Sequence, residues 1–192
     1  SMEVVNLDTR EKQNAFMNPA RQDILRLLQL AGRPMTPKEL ADKMGISASS
    51  VTFHIKKLVE LGVVALDHTE QIRGITARYY KALNVSVRLG LLAPGGDDAA
   101  QEMFLQRTVE QVLAGVQGLK RLAGEKGLGE EDVMGLGDMH SGVVYLTREE
   151  AIELQRRVMD FLSEREVPRP GTAAYEYVLM AYNAAEVTPD VR

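Results

Sequence analysis

The sequence predicts a mainly α-helical chain with a small β component. Three helices and a β-hairpin come first, followed by an α+β domain that contains one long helix. Three observations carry that expectation. Residues 36–61 read as two capped helices around a tight turn, residues 63–83 switch to strand-like patterning, and residues 99–123 hold a long apolar repeat at helical spacing.

Thr36 and Glu39 have the spacing of a capping box, in which the hydroxyl accepts a backbone N–H and the carboxylate reaches back to the cap. Pro37 occupies the first helical position, where its missing N–H costs nothing. Gly45 suits a left-handed helix stop, and Ser47 supplies the N-cap of a second helix ending before Gly62. At 100° per residue, Val51, Ile55 and Leu58 fall on one side of that second helix, facing Leu40, Ala41 and Met44. The other side carries Ser49, Ser50, Phe53, Lys56 and Lys57, flanked by Thr52 and His54. Small hydroxyls allow close approach to a DNA groove and lysines suit phosphates. An ordinary solvated outer face is the alternative, and an exposed Phe53 fits it poorly.

An apolar run, 63–66, follows Gly62; 68–76 is polar with Gly74 at the expected tip, and 77–83 regains strand character through Tyr79 and Tyr80. Three helices and a hairpin are the element order of a winged helix. Arg73 and Arg78 are then expected on the wing, within reach of phosphates or a minor groove.

The stretches NPARQDILRLL, TPKELADKMGISASSVTFHIKKLVELGVV and ARYYKAL resemble the ArsR-type winged-helix transcription regulators, over residues 18–83. The resemblance implies a homodimer acting on double-stranded DNA, with Ser49, Ser50, Thr52, His54 and Lys57 reading the major groove and Arg73 and Arg78 on the wing. Ser47, Phe53 and Lys56 complete the expected interface from their place on the helix. Arg21 is placed by the same resemblance near the DNA backbone, a surface salt bridge being the alternative.

The chain has no cysteine, which excludes disulfides and thiolate metal sensing, a mode many members of that family use. Its net charge of −4 divides unevenly: residues 18–83 hold ten Lys/Arg against six Asp/Glu, and residues 84–192 hold eleven against eighteen. A basic head on an acidic body fits a DNA-binding module, chance partitioning of surface charge being the plainer reading. No run approaches the ~20 apolar residues of a membrane span and no signal-peptide pattern opens the chain, so a cytoplasmic protein is expected.

The expected divisions are an N-terminal segment 1–17 (a short helix or an arm), the winged helix 18–83, a linker 84–98 containing Leu92 and Pro94, and a C-terminal domain 99–192. In the last, Leu105, Val109, Val112, Val116 and Leu119 recur at alternating steps of four and three, the spacing of a coiled-coil seam. Gly115 and Gly118 on that helix fit close approach by another helix. It is expected to form the dimer interface, intramolecular packing being the alternative. Residues 133–146 and 172–183 read as strands, paired around 143–146 and 174–182, and Thr147 with Glu150 caps a helix between them.

Tyr145, Tyr175, Tyr177, Met180 and Tyr182 are candidates for an apolar effector pocket, core or interface being the commoner use of such residues. Asp138 and His140 resemble the start of the carboxylate–histidine zinc site that some ArsR-type regulators carry, but no histidine follows, and a set completed by Glu149 and Glu153 is not expected. No catalytic constellation or cofactor motif stands out. The expected function is a sequence-specific transcription regulator on a palindromic operator. Alternatives are a ligand-responsive regulator and a winged helix that docks a protein instead of DNA.

Overall fold

The structure, a computed structural model, describes residues 3–91, 95–188 and 190. Leu92 and Pro94 of the expected linker lie outside the described residues. The elements run β1 (Glu3–Asn6), α1 (Arg10–Met17), α2 (Pro19–Ala31), α3 (Pro37–Met44), α4 (Ala48–Glu60), β2 (Val64–Ile72), β3 (Ile75–Ala82), β4 (Val85–Arg88), α5 (Asp98–Lys126), α6 (Glu130–Val133), α7 (Arg148–Ser163) and α8 (Ala184–Val187). The architecture is mainly helical with a β-hairpin after the N-terminal helices. Two compact units divide the chain: Ser1–Phe104 with Gly142–Ala174, and Leu105–Ser141 with Tyr175–Arg192.

The first unit holds the core. Asn18 accepts the Arg21 N–H at 3.2 Å to cap α2, Thr36 accepts from Glu39 at 3.1 Å to cap α3, and Ser47 accepts from Ser50 at 3.2 Å to cap α4. Ile24 and Leu28 of α2, Leu40 and Ala41 of α3, and Val51, Ile55 and Leu58 of α4 close on one another with Met35, Val63 and Val64. Half of the Thr36 capping box is made differently from expectation. Glu39 pairs with Arg33 at 2.9 Å, because a full charge there outbids a backbone N–H.

β2 and β3 pair antiparallel from Val64↔Ala82 to Ile72↔Ile75, so the wing is laddered almost to its tip through the polar stretch. Arg73 and Gly74 both have positive φ (51° and 78°), the geometry of a two-residue turn whose twist matches the strands it joins. Met35 adds a bridge to Tyr80 through two 2.9 Å main-chain bonds, fastening the entry of α3 to the wing. β1 and β4 pair in parallel, Glu3↔Val85 to Asn6↔Arg88, so the N-terminal segment is a strand followed by a helix. Asp97 caps α5 by accepting the Ala100 N–H at 3.2 Å, and Phe104 meets Phe16 with ring centroids 6.2 Å apart.

The long helix is present, but the expected C-terminal sheet is not. Residues 133–146 and 172–183 contain no strand among those described, and the pairing of 143–146 with 174–182 is not made. Alternating side chains give a segment strand propensity, whereas a strand exists only where a partner completes its ladder. This part of the chain is therefore helical with irregular connections rather than α+β. Thr147 and Glu150 do form both halves of their capping box, at 3.1 and 2.8 Å, and open α7.

Candidate nucleic-acid interface

With its apolar side buried, α4 presents Ser47, Ser49, Ser50, Phe53 and Lys56 to solvent. The hydroxyls cluster at the helix N-terminus: Ser47 Oγ donates to Ser50 Oγ at 2.9 Å and lies 3.1 Å from Ser49 Oγ. The helix dipole favours an anion at that end. Thr52 is half-buried, and its hydroxyl donates to the Ala48 carbonyl at 2.9 Å, leaving its oxygen only as an acceptor.

Phe53 is 55% exposed, and the structure gives it work on that surface. Lys57 Nζ lies 5.7 Å and Arg21 Cζ 6.0 Å from its ring centroid, so the aromatic face holds two cations. Lys57 also lies 3.8 Å from Glu60, whereas Lys56 makes no ion pair among the described residues. The plain phosphate donor of this helix is therefore Lys56.

His54 is placed less openly than its neighbours. It is half-buried against Phe53 in an edge-on contact at 5.5 Å, and its Nδ1 is buried without a hydrogen-bond partner among the described residues. Burial, and then the charge of Arg21, hold its pKa below the ordinary histidine value, so it carries no charge to offer a phosphate at neutral pH. Arg21 is half-buried and makes no ion pair among the described residues. Its guanidinium turns inward and donates to the Ala15 carbonyl at 2.8 Å, near the end of α1. The sequence could not signal this, because the acceptor is main chain and belongs to a segment with weak patterning.

On the wing, Arg73 stands at the turn and Arg78 opposite Thr69, both exposed and neither paired among the described residues. Ile72 and Ile75 flank the tip and are also exposed; the reading of the wing by its charges passed over them. At its base, a register shift at Leu66/His68 lets Asp67 accept from His68 Nδ1 at 2.6 Å and Lys81 Nζ at 3.3 Å.

Residues 16–67 match the family model described as the helix-turn-helix domain. That segment is a helix-turn-helix domain. No curated protein matches the chain in sequence. Among solved structures, the chain is similar to the adhesin competence repressor (AdcR) from Streptococcus pyogenes at 17% identity, covering 78% of this chain and 80% of that one with a TM-score of 0.31. A mutant of Lactococcus lactis ZitR in its apo form gives 16% identity, 77% and 83% coverage and a TM-score of 0.28.

Outside the helix-turn-helix domain, the remaining candidates are placed as follows. On α5, Leu105, Val109 and Val116 are exposed while Val112 and Leu119 are half-buried. A Cβ on Gly137 would come 2.8 Å from Leu119, so that end of the stripe is covered within its own unit. A Cβ on Gly115 would meet nothing within 4 Å, so no helix among the described residues makes the close approach expected there.

Tyr145, Tyr175, Tyr177, Met180 and Tyr182 are all exposed; Tyr175 donates its hydroxyl to the Gly135 carbonyl. A cavity of about 340 Å³ lies in the head, lined by Asp23, Arg26, Leu27, Lys43 and Met44 among others. His140 Nε2 lies 3.0 Å from Asp138, Glu153 is occupied by Arg156 and Arg157, and no cluster of three ligating groups forms among the described residues. No helix among the described residues is long and apolar enough to cross a membrane.

Proposed function

We propose that this chain is a sequence-specific DNA-binding transcription regulator acting as a homodimer on a palindromic operator. One observation carries the reading: a helix-turn-helix domain whose second helix leaves a hydroxyl cluster and Lys56 open, beside a hairpin whose two arginines have no partner among the described residues. Ser49 and Ser50 read base edges, Lys56, Arg73 and Arg78 neutralise phosphates, and Lys57 is held on Phe53 beside them. The domains follow residues 18–83 for the head, 84–98 for the linker and 99–192 for the body, with residues 1–17 bracing the head.

Dimerisation through Leu105, Val109, Val112 and Val116 of α5 sets two heads on one duplex, and a two-fold axis demands inverted half-sites. The protein is a cytoplasmic regulator without catalytic activity, and without thiols it does not sense metals through cysteine. Selection from a random duplex pool at low salt, followed by sedimentation of the protein alone, tests the reading. An enriched inverted repeat and a dimer are expected; failure to retain any duplex at low salt would sink it.

A further inference from the structure

Nδ1 of His54 on α4 and Nε of Arg21 on α2 are both buried without a hydrogen-bond partner among the described residues. Both side chains border Phe53, whose ring centroid lies 5.5 Å from the imidazole and 6.0 Å from Arg21 Cζ. Arg21 is held there in the first turn of α2, its guanidinium donating to the Ala15 carbonyl at 2.8 Å.

A neutral imidazole donates from one nitrogen and accepts at the other. Burial, then the charge of Arg21, keep His54 neutral at pH 7. What each nitrogen faces decides which one holds the proton. Nδ1 is sealed inside, and the charge acting on it is a guanidinium, a group with five N–H donors and no acceptor. A proton on Nδ1 would be a buried donor turned toward a cation, whereas a lone pair there is attracted to it. The ring as a whole is only half-buried, so with Nδ1 on the sealed side the opposite edge, which carries Nε2, is the open one.

We infer that Arg21 fixes His54 in its Nε2–H form, so that α4 offers the major groove an obligate donor there, and that the base this donor selects is guanine. Guanine sets two acceptors, N7 and O6, side by side. Adenine puts an amino donor next to its N7, thymine has one acceptor beside a methyl group, and cytosine presents a donor. This rests on the reading in which α4 enters a DNA groove. To the hydroxyls of Ser49 and Ser50, which can donate or accept, it adds a group that can only donate. Arg21 is then a positioning residue, acting on the base only through His54.

Two-bond proton–nitrogen NMR spectra of the full-length protein at neutral pH read the tautomer directly. The expected pattern for His54 is a protonated-nitrogen shift at Nε2 and a bare-nitrogen shift at Nδ1. Arg21→Gln should mix the two tautomers, and Arg21→Lys, which keeps the cation, should restore the Nε2–H form. A proton on Nδ1 in the unaltered protein overturns the inference whatever the variants do. Duplexes selected from a random pool give the second measurement. The unaltered protein should select a guanine in each half-site that His54→Leu no longer selects. Replacing that guanine by 7-deazaguanine, which lacks the N7 acceptor, should weaken binding about fivefold for the unaltered protein and leave His54→Leu unaffected. Identical selection by the two proteins, or binding indifferent to the 7-deaza base, overturns the guanine contact and leaves α4 in the groove. Failure to retain any duplex overturns both.

Discussion

The imidazole of His68 lies flat on Tyr79, with ring centroids 4.4 Å apart and planes 8° from parallel. Its two nitrogens reach Asp67 at 2.6 Å and Glu70 at 3.3 Å, so the base of the wing is tied by stacking and two carboxylates. The hydrogen bond to Asp67 raises the pKa of His68, and the same bond lowers that of Asp67. His54 goes the other way, lowered by burial first and by Arg21 second.

The two histidines therefore give opposite pH dependences. His68 contributes stability that is present below the ordinary histidine value, about 6.5, and lost as pH rises through its raised folded value. His54 resists protonation in the fold, so its contribution is present above about 6.5 and lost as pH falls through its lowered value. In urea midpoints taken from acid to mildly alkaline pH, His68→Asn should flatten the alkaline loss and His54→Asn the acid one. Histidine NMR titrations should place His68 above and His54 below the free residue; the reverse order would overturn both assignments.

Thr36→Ala should destabilise the head by about 1 kcal/mol, the usual cost of losing an N-cap. Glu39→Ala should cost less than about 1 kcal/mol, since it loses only a partly exposed ion pair with Arg33. Urea unfolding distinguishes this from a two-sided capping box, in which both changes would cost alike.

That difference marks what a sequence can carry. The Thr36 and Ser47 caps and the Val51, Ile55 and Leu58 stripe were legible because each depends on residues three or four apart. The turn at Gly74 was legible, but not the length of the wing, because a two-stranded ladder open on both faces needs no apolar alternation. β1 pairs with β4 some eighty residues away, and nothing local records it. The half-buried settings of Arg21 and His54 were not legible for the same reason: the surroundings that turn them inward come from α1 and α2. In 142–146 and 178–182 the alternation misled, because periodicity records which side chains share a face and not whether a neighbouring strand exists to complete a ladder.

Gly32 and Gly45 both end helices with positive φ, 62° and 68°. Around Gly45 a Cβ would meet nothing, so Gly45→Ala should cost about 1–2 kcal/mol for the left-handed backbone alone. At Gly32 the new Cβ would lie 2.8 Å from Pro168 Cγ, and the loss should be larger. Thermal unfolding of Gly32→Ala, Pro168→Ala and the double variant separates the two costs. Pro168→Ala should recover only the steric part, and a strictly additive cycle would show that the contact does not matter.

On DNA the two kinds of contact should part cleanly. Lys56→Ala and Arg78→Ala remove cations that are unpaired among the described residues, so each should weaken every sequence alike and lower the slope of log affinity against log salt by about one. Lys57→Ala should do less, because that ammonium already faces Glu60 and the Phe53 ring. Ser50→Ala keeps the salt slope and narrows the gap between operator and scrambled duplex, by about 1 kcal/mol for one base contact. Ser47→Ala does not isolate such a contact, because its hydroxyl also caps α4 and its loss would loosen the whole helix. Anisotropy titrations between about 50 and 200 mM salt read both quantities at once. Identical slopes and identical discrimination across the lysine and serine variants would mean that this face of α4 does not meet the duplex.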